Sequence, residues 1–298
     1  MHTLIANKNK WYRTEDGATD IDFIRSNERL EKLGTRHCPM SSAMILEKFR
    51  NKARSLGLEL VNEQGALLKP EIDKTTGSLK GGNRFIYVAE VKSEIRPDYA
   101  LSVGFRNFSD KTLSYNFIMA NHIFVCENGC CNGIIKNAKM RHTIGNCSND
   151  NMIDAKIDIG FNRFVEDKEN IHNQIGYMKS HTLTDDIVGK FVKKMNGEWV
   201  SDGNDGYKFV KNPYLGSANL LRIMEDLENP KWNDRNDTSV MRLLNSATAI
   251  CTHEIKNPNQ SIMASRMCNN VIMGLVKDDF VPLGDDCDAE EIVEGEIA

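Results

Sequence analysis

No stretch of the 298 residues approaches the roughly 20 consecutive apolar positions that a membrane helix needs, so no span is expected. The first residues, MHTLIANKNKWYRTEDG, lack an apolar core segment. A secretory leader is therefore not expected, and the expected compartment is the cytoplasm. The chain has no G-x-x-x-x-G-K-[ST], no G-x-G-x-x-G and no H-E-x-x-H, which leaves out the phosphate loop, the dinucleotide fingerprint and the helical zinc-protease pair. It has no internal repeat. It also lacks the composition of a disordered, collagen-like or coiled-coil chain: 40% of residues are hydrophobic and 27% charged, as in an ordinary globular protein.

Basic residues are absent from one region. Nine acidic residues and no Lys or Arg occupy 278–298. Taking that tail's −9 from the chain's −4 leaves +5 on residues 1–277. A mildly basic body thus carries an acidic tail, either as a solvated end or as an imitation of nucleic acid that docks on a basic partner.

Four segments follow from the pattern: a polar N-terminal segment (1–38), an α+β domain (39–148), a helical domain (149–277) and the acidic tail (278–298). Ser41 to Leu56 reads as a helix capped by Ser41 or Ser42 and stopped at Gly57. Leu58–Asn62 and Ala66–Lys69 read as short strands. Arg84–Lys92 alternates, with Phe85, Tyr87, Ala89 and Val91 on one face, and Tyr99–Phe105 continues it as a hairpin partner. Asp110–Ala120 reads as a helix capped by Ser109, followed by a strand His122–Cys126 and a further one at Gly133–Lys136. The expected fold class is α+β: an antiparallel sheet with strand-strand-helix-strand order in the N-terminal half, and a helical C-terminal half. From Met152 to Met178 apolar residues recur at helical spacing. Thr184 starts another helix that Gly197 ends, a Gly-, Asn- and Asp-rich loop spans Gly197–Gly206, and helices follow at Ser217–Leu227, Thr238–Cys251 and Pro258–Met273.

Several groups invite a chemical reading. Cys126, Cys130, His142 and Cys147 are candidate zinc ligands by residue type, but the hairpin-like Cys126-Glu-Asn-Gly-Cys130-Cys131-Asn-Gly turn favours free thiols, so no metal is expected. Glu90 and Lys92 resemble the end of a metal-dependent nuclease strand, without a matching upstream Asp. A solvated strand face explains them better. Arg84, Lys92, Arg96, Arg106, Lys111, Lys136, Lys139 and Arg141, with Tyr87, Phe105, Phe108 and Tyr115, are either a solvated sheet face or a groove for single-stranded nucleic acid. No nucleophile accompanies His142, so no catalytic residue and no cofactor are expected. Ile262, Met263, Met267, Val271, Ile272 and Met273 form a stripe that predicts a homo-oligomer.

Three motifs occur in order: Gly104-Phe105-Arg106-Asn107-Phe108-Ser109-Asp110-Lys111-Thr112, then His122-Ile-Phe-Val-Cys126-Glu-Asn128, then Arg141-His142-Thr143. Together they resemble the phage/plasmid-like protein family known only as a domain of unknown function. Asn229-Pro230 through Leu244-Asn245-Ser246-Ala247-Thr248 is similar to that family's C-terminal piece. The resemblance covers about residues 40–255. Glu127 stands where an Asp is usual, and Cys130-Cys131 replaces small or aromatic residues.

The resemblance implies a phage or plasmid source, location in the host cell cytoplasm, and no established activity. In that setting the expected function is counter-defence: binding and blocking a host antiviral nuclease or helicase complex. The alternative is binding or annealing of single-stranded DNA. The expected binding surface is Arg106, Asn107, Ser109, Lys111, Arg141 and His142. Its core is a strand-to-helix junction at which the first helical N–H groups and two cations face an anion.

Overall fold

The computed structural model describes residues 10–277, except 73, 76, 78, 124–127, 135–137, 148–149, 202–206, 213–214, 232–235 and 256–257. The acidic tail, Cys126 and Lys136 fall outside the described residues. The described chain forms two compact units, one of residues 10–120 with 133–167 and one of 121–132 with 168–277. The first holds most of an antiparallel sheet and the second is mainly helical, so the fold is α+β. The division falls inside one long helix, between Asp167 and Lys168.

Up to the end of the sheet the element order is β1 (Trp11–Arg13), α1 (Ile21–Asn27), α2 (Ser42–Ser55), β2 (Leu60–Leu68), β3 (Glu71–Ile72), β4 (Leu79–Lys80), β5 (Arg84–Ile95), β6 (Tyr99–Phe108), β7 (Asn116–Ile123) and β8 (Asn128–Ile134), the end of β7 and most of β8 falling within 121–132. The strands line up as β1-β2-β5-β6-β7-β8, with β3 and β4 as a separate two-residue ladder. The ends of α2 follow local chemistry. Ser41 accepts a hydrogen bond from Met44 N at 3.1 Å, satisfying an otherwise unpaired N–H of the first turn. After Leu56 the chain enters Gly57 at φ +71°, where only glycine avoids a steric cost. Ile45, Leu46, Phe49 and Ala53 form its buried stripe.

Phe49 is the hub. Its ring lies 5.7 Å from Tyr87, 5.3 Å from Phe105, 5.5 Å from Phe117 and 4.7 Å from Phe161, centroid to centroid. These spacings suit offset and edge-to-face aromatic packing. Tyr87 and Phe105 are cross-strand partners on β5 and β6. Phe85, Tyr87, Ala89 and Val91 are all buried, and Tyr87 meets Phe49 of α2. The two expected strands Leu58–Asn62 and Ala66–Lys69 are merged, but for Leu58, Glu59 and Lys69, in the single strand β2. The β2–β5 register shifts between Val61 and Gln64, and Asn62 takes φ +49°, so a bulge accounts for the break in the pattern.

The segment Asp110–Ala120 is not a helix. Ser109–Thr112 is a turn, and Asn116–Ile123 is strand β7, so the local order is strand, strand, strand. Asp110 Oδ1 accepts from Thr112 N at 3.1 Å and from its hydroxyl at 2.5 Å. That side-chain turn competes with helix initiation. Lys111 at φ +71° lies outside the right-handed helical region. The residues Asn116–Asn121 are buried on both faces, so the strand shows no polar alternation.

Short α3 (Ile144–Cys147) leads into α4 (Asp150–Ser180), whose first part belongs to the sheet unit. Lys48 and Lys52 of α2 pair with Asp154 and Asp158 of α4 at 2.7 and 2.9 Å. The helical unit adds α5 (Asp185–Asn196), β9 (Gly197–Ser201), β10 (Tyr207–Lys211), α6 (Ser217–Glu228), α7 (Val240–Glu254) and α8 (Pro258–Val276). Thr184 caps α5 by accepting from Ile187 N at 3.3 Å. The expected loop at Gly197–Gly206 instead opens with β9, which pairs antiparallel with β10 from Gly197↔Lys211 to Ser201↔Tyr207. Gly197 at φ +131° turns the end of α5 directly into that strand.

Helix α7 is buried almost all round, between α6 and α8. Its polar residues are met from within: Ser246 donates to Asp226 at 2.7 Å and Thr248 to Leu244 O at 2.8 Å. On α8, Ile272 and Met273 are in the core, while Ile262, Met263, Met267 and Val271 are half-buried. Cys38, Cys251 and Cys268 are free thiols.

Candidate functional site

The stretches Gly104–Thr112 and Arg141–Thr143 meet on a third segment, Arg36–Ser42. His37 and Thr143 form an antiparallel bridge. Cys38 N donates to His142 O at 3.2 Å, and Ile144 N donates to Arg36 O at 3.1 Å. From the β6 side, Asn107 Nδ2 donates to Met40 O at 3.0 Å and to Ser42 Oγ at 2.9 Å, and the Ser109 hydroxyl donates to Met40 O at 2.9 Å. The segment that joins them lies in a polar stretch without periodicity. Its one sequence signal is that Arg36-His37 repeats the Arg141-His142 pair.

Burial sorts the six expected residues. Asn107 is fully buried; Arg106 and Ser109 are each 3% exposed, and His142 is 7% exposed. Lys111 and Arg141 lie on the surface. No helix starts at Ser109. Its N–H donates to Asn83 O at 2.7 Å, and Thr112 N is taken by Asp110. The expected row of outward helical N–H donors is therefore not present at this junction. Asn107 and Ser109 instead tie the entry of α2 to the sheet. That entry is doubly capped, because Glu28 accepts from the Ser41 hydroxyl at 2.5 Å and from Ser42 N at 2.7 Å. Burial raises the Glu28 pKa, against the lowering effect of those donors.

The imidazoles of His37 and His142 approach to 6.3 Å between ring centroids. His37 Nδ1 accepts from Leu33 N at 2.9 Å. His37 Nε2 and both ring nitrogens of His142 have no hydrogen-bond partner among the described residues. Burial lowers the His142 pKa to about 4; His37 pushes the same way, and Asp110 opposes. Burial and the Lys111 charge lower His37 as well. Both rings are neutral at pH 7. Asp110 is itself held by Arg84 Nε at 2.5 Å.

The aromatic and charged groups read as either a solvated sheet face or a nucleic-acid groove separate. Tyr87, Phe105, Phe108 and Tyr115 are all buried. Lys92 pairs with Glu59 at 2.8 Å. Glu90 is buried and accepts from Asn62 Nδ2 at 2.8 Å, so the nuclease-like pair has separate structural partners. A half-buried network joins Arg50, Glu63 and Tyr87, with the Tyr87 hydroxyl donating to Glu63 at 2.7 Å.

Among the described residues, no three His, Cys, Asp or Glu side chains are grouped to hold a metal ion. Of the candidate zinc ligands, Cys126 and the side chains of Cys130 and Cys147 lie outside the described residues. Beside Arg141 is a concavity of about 330 Å³ lined by Lys139, Met140, Arg141, Asn146, Met152 and Lys156. Compared with known proteins, the chain matches no family model, no curated protein and no solved structure.

Proposed function

We propose that this chain acts by binding rather than by catalysis. In this reading it is a phage or plasmid accessory protein of the family it resembles, working in the host cytoplasm as a homo-oligomer. It attaches to a host antiviral nuclease or helicase complex and blocks it. The observation that carries the choice of a protein partner is the fate of the aromatic residues. Recognition of a single strand relies on bases stacking on exposed rings, and Tyr87, Phe105, Phe108 and Tyr115 are in the core. Lys111 and Arg141 remain outside, which suits an acidic protein surface more than a stacked strand.

The test is a pull-down of the tagged full chain from host cells, with and without nuclease treatment. A protein complex that survives nuclease, and is lost with Lys111→Glu/Arg141→Glu, supports the reading. Loss of every partner on nuclease treatment would overturn it in favour of single-stranded DNA.

A further inference from the structure

We infer that the concavity between the end of α2 and the start of β2 is a binding site for a free α-amino acid with an aliphatic side chain. Its lining brings Arg50 and Arg54 of α2 together with Leu58, Glu59, Leu60 and Glu63 of the chain that follows. All of these lie within the described residues. The set carries both signs of charge beside an apolar wall. A phosphate would meet the carboxylates, and a bare cation would meet the guanidinium groups. The ligand that fits carries a carboxylate and an ammonium at once.

The concavity follows from how α2 ends. The N–H groups of Leu56, Gly57 and Leu58 return to the carbonyls of Lys52, Arg54 and Ala53 at 3.1, 3.0 and 2.9 Å. Gly57, at φ +71°, turns the chain back, so that Leu58, Glu59 and Leu60 share the concavity with the last turns of the helix. Arg50 and Arg54 stand one turn apart on one helix face, about 5–6 Å between their Cβ atoms. Gly57 also leaves the mouth open, since a Cβ there would meet nothing within 4 Å.

The hydrogen bonds within the fold leave one donor edge and one acceptor open. Arg50 gives Nε and Nη2 to a single oxygen of Glu63, Oε2, which also takes the Tyr87 hydroxyl at 2.7 Å. Glu59 is bridged at both oxygens by Lys92 Nζ, each at 2.8 Å. Glu63 Oε1 accepts no hydrogen bond among the described residues, and the Glu63 side chain is 28% exposed. Arg54 is exposed and uses only Nη1, on Asn51 Oδ1 at 3.1 Å, and it forms no ion pair among the described residues. Its Nε–Nη2 edge matches both oxygens of a carboxylate at once. Glu63 Oε1 is the acceptor for the α-ammonium. Leu58 and Leu60 are half-buried, and an aliphatic side chain removes the rest of their apolar surface from water. The volume, about 360 Å³, is at the small end of ligand pockets, as a single amino acid requires. This site goes beyond the proposed counter-defence role and does not depend on who the protein partner is.

Calorimetry on the full chain tests each charge separately. The probes are L-leucine, isocaproate, which is leucine without its ammonium, and isoamylamine, which is leucine without its carboxylate. Expected is binding of leucine at concentrations up to about 1 mM, with each analogue about tenfold weaker or more. Arg54→Ala weakens leucine binding about tenfold or more, and Arg54→Lys retains part of the affinity. Glu63→Gln weakens leucine but not isocaproate, so the preference between them narrows. Arg222→Ala, which removes an exposed charge on α6, leaves binding unchanged. The inference is overturned if leucine does not bind, if either analogue binds as tightly as leucine, or if Arg54→Ala and Arg222→Ala act alike. Circular dichroism of each variant keeps loss of fold apart from loss of the site, and the two analogues test the same contacts on the unaltered chain. A pull-down that fails while leucine still binds removes the counter-defence reading and leaves this one standing.

Discussion

His37 and His142, from opposite ends of the sheet unit's sequence, set two buried imidazoles 6.3 Å apart beneath the surface cations Lys111 and Arg141. The folded chain keeps His142 neutral down to about pH 4, whereas its ordinary value is 6.5. Between those values the unfolded chain binds a proton that the folded chain refuses. Stability is therefore full above pH 6.5 and falls as the pH drops toward 4. From pH 7 to 5 the loss from His142 alone is about 2 kcal/mol, and His37 adds to it in the same direction. Urea midpoints across that range should show the slope, and His142→Gln should flatten it. An unchanged slope in the variant would assign the effect to other groups.

Asn107 and Ser109 share one acceptor, the carbonyl of Met40. Either substitution to Ala leaves that buried oxygen one donor and should cost about 1–2 kcal/mol. The double substitution removes both donors. Its cost should exceed the sum of the singles, a coupling that thermal or urea unfolding of the full cycle measures. Simple additivity would show that the two hydrogen bonds are independent.

A packing reason requires glycine at position 104 of β6. A Cβ there would lie 2.1 Å from Tyr87 O and 2.9 Å from Val88 Cα, backbone atoms of the adjacent strand. Gly104→Ala must push β5 and β6 apart and should cost about 2 kcal/mol or more. Gly145 has open space around it, so Gly145→Ala should be neutral or slightly stabilising. Comparable losses for the two would contradict the packing argument.

Lys111 holds φ +71° without being glycine. Lys111→Gly should relieve that conformation and raise the melting temperature, by the equivalent of about 0.5–1 kcal/mol. It also removes the charge that depresses His37, so the His37 resonance should titrate at a higher pH in the variant. A fall in stability would mean that the Lys111 side chain holds the turn.

What the sequence makes legible is what single turns and strands encode. The Ser41 cap, the Gly57 stop and the Phe85-Tyr87-Ala89-Val91 face each depend on neighbours a few residues away, and each is found in place. Strand β7 hides for the opposite reason. Burial on both faces erases its alternation, and Leu113, Phe117 and Met119 then imitate a helix. The meeting of 106–111 with 141–142 is only half legible. Both stretches can be picked out by motif, but their junction on His37 and Met40 is a tertiary event that no local period marks. The concavity beside α4 is the least visible, because Lys156 enters it only through the packing of α4.

The outermost strand of the sheet is also its shortest. β1 covers β2 with three residues, Trp11, Tyr12 and Arg13, opposite Leu68, Leu67 and Ala66, and Lys69 lies 5.2 Å over the Tyr12 ring. A brief, charge-flanked border gives another molecule little backbone to pair with. A chain cut after Arg13 would instead present the apolar run Ala66-Leu67-Leu68 with its ladder open, inviting strand addition between molecules. Such a chain should leave solution as sheet-rich aggregates that bind thioflavin, at concentrations where the uncut protein stays clear.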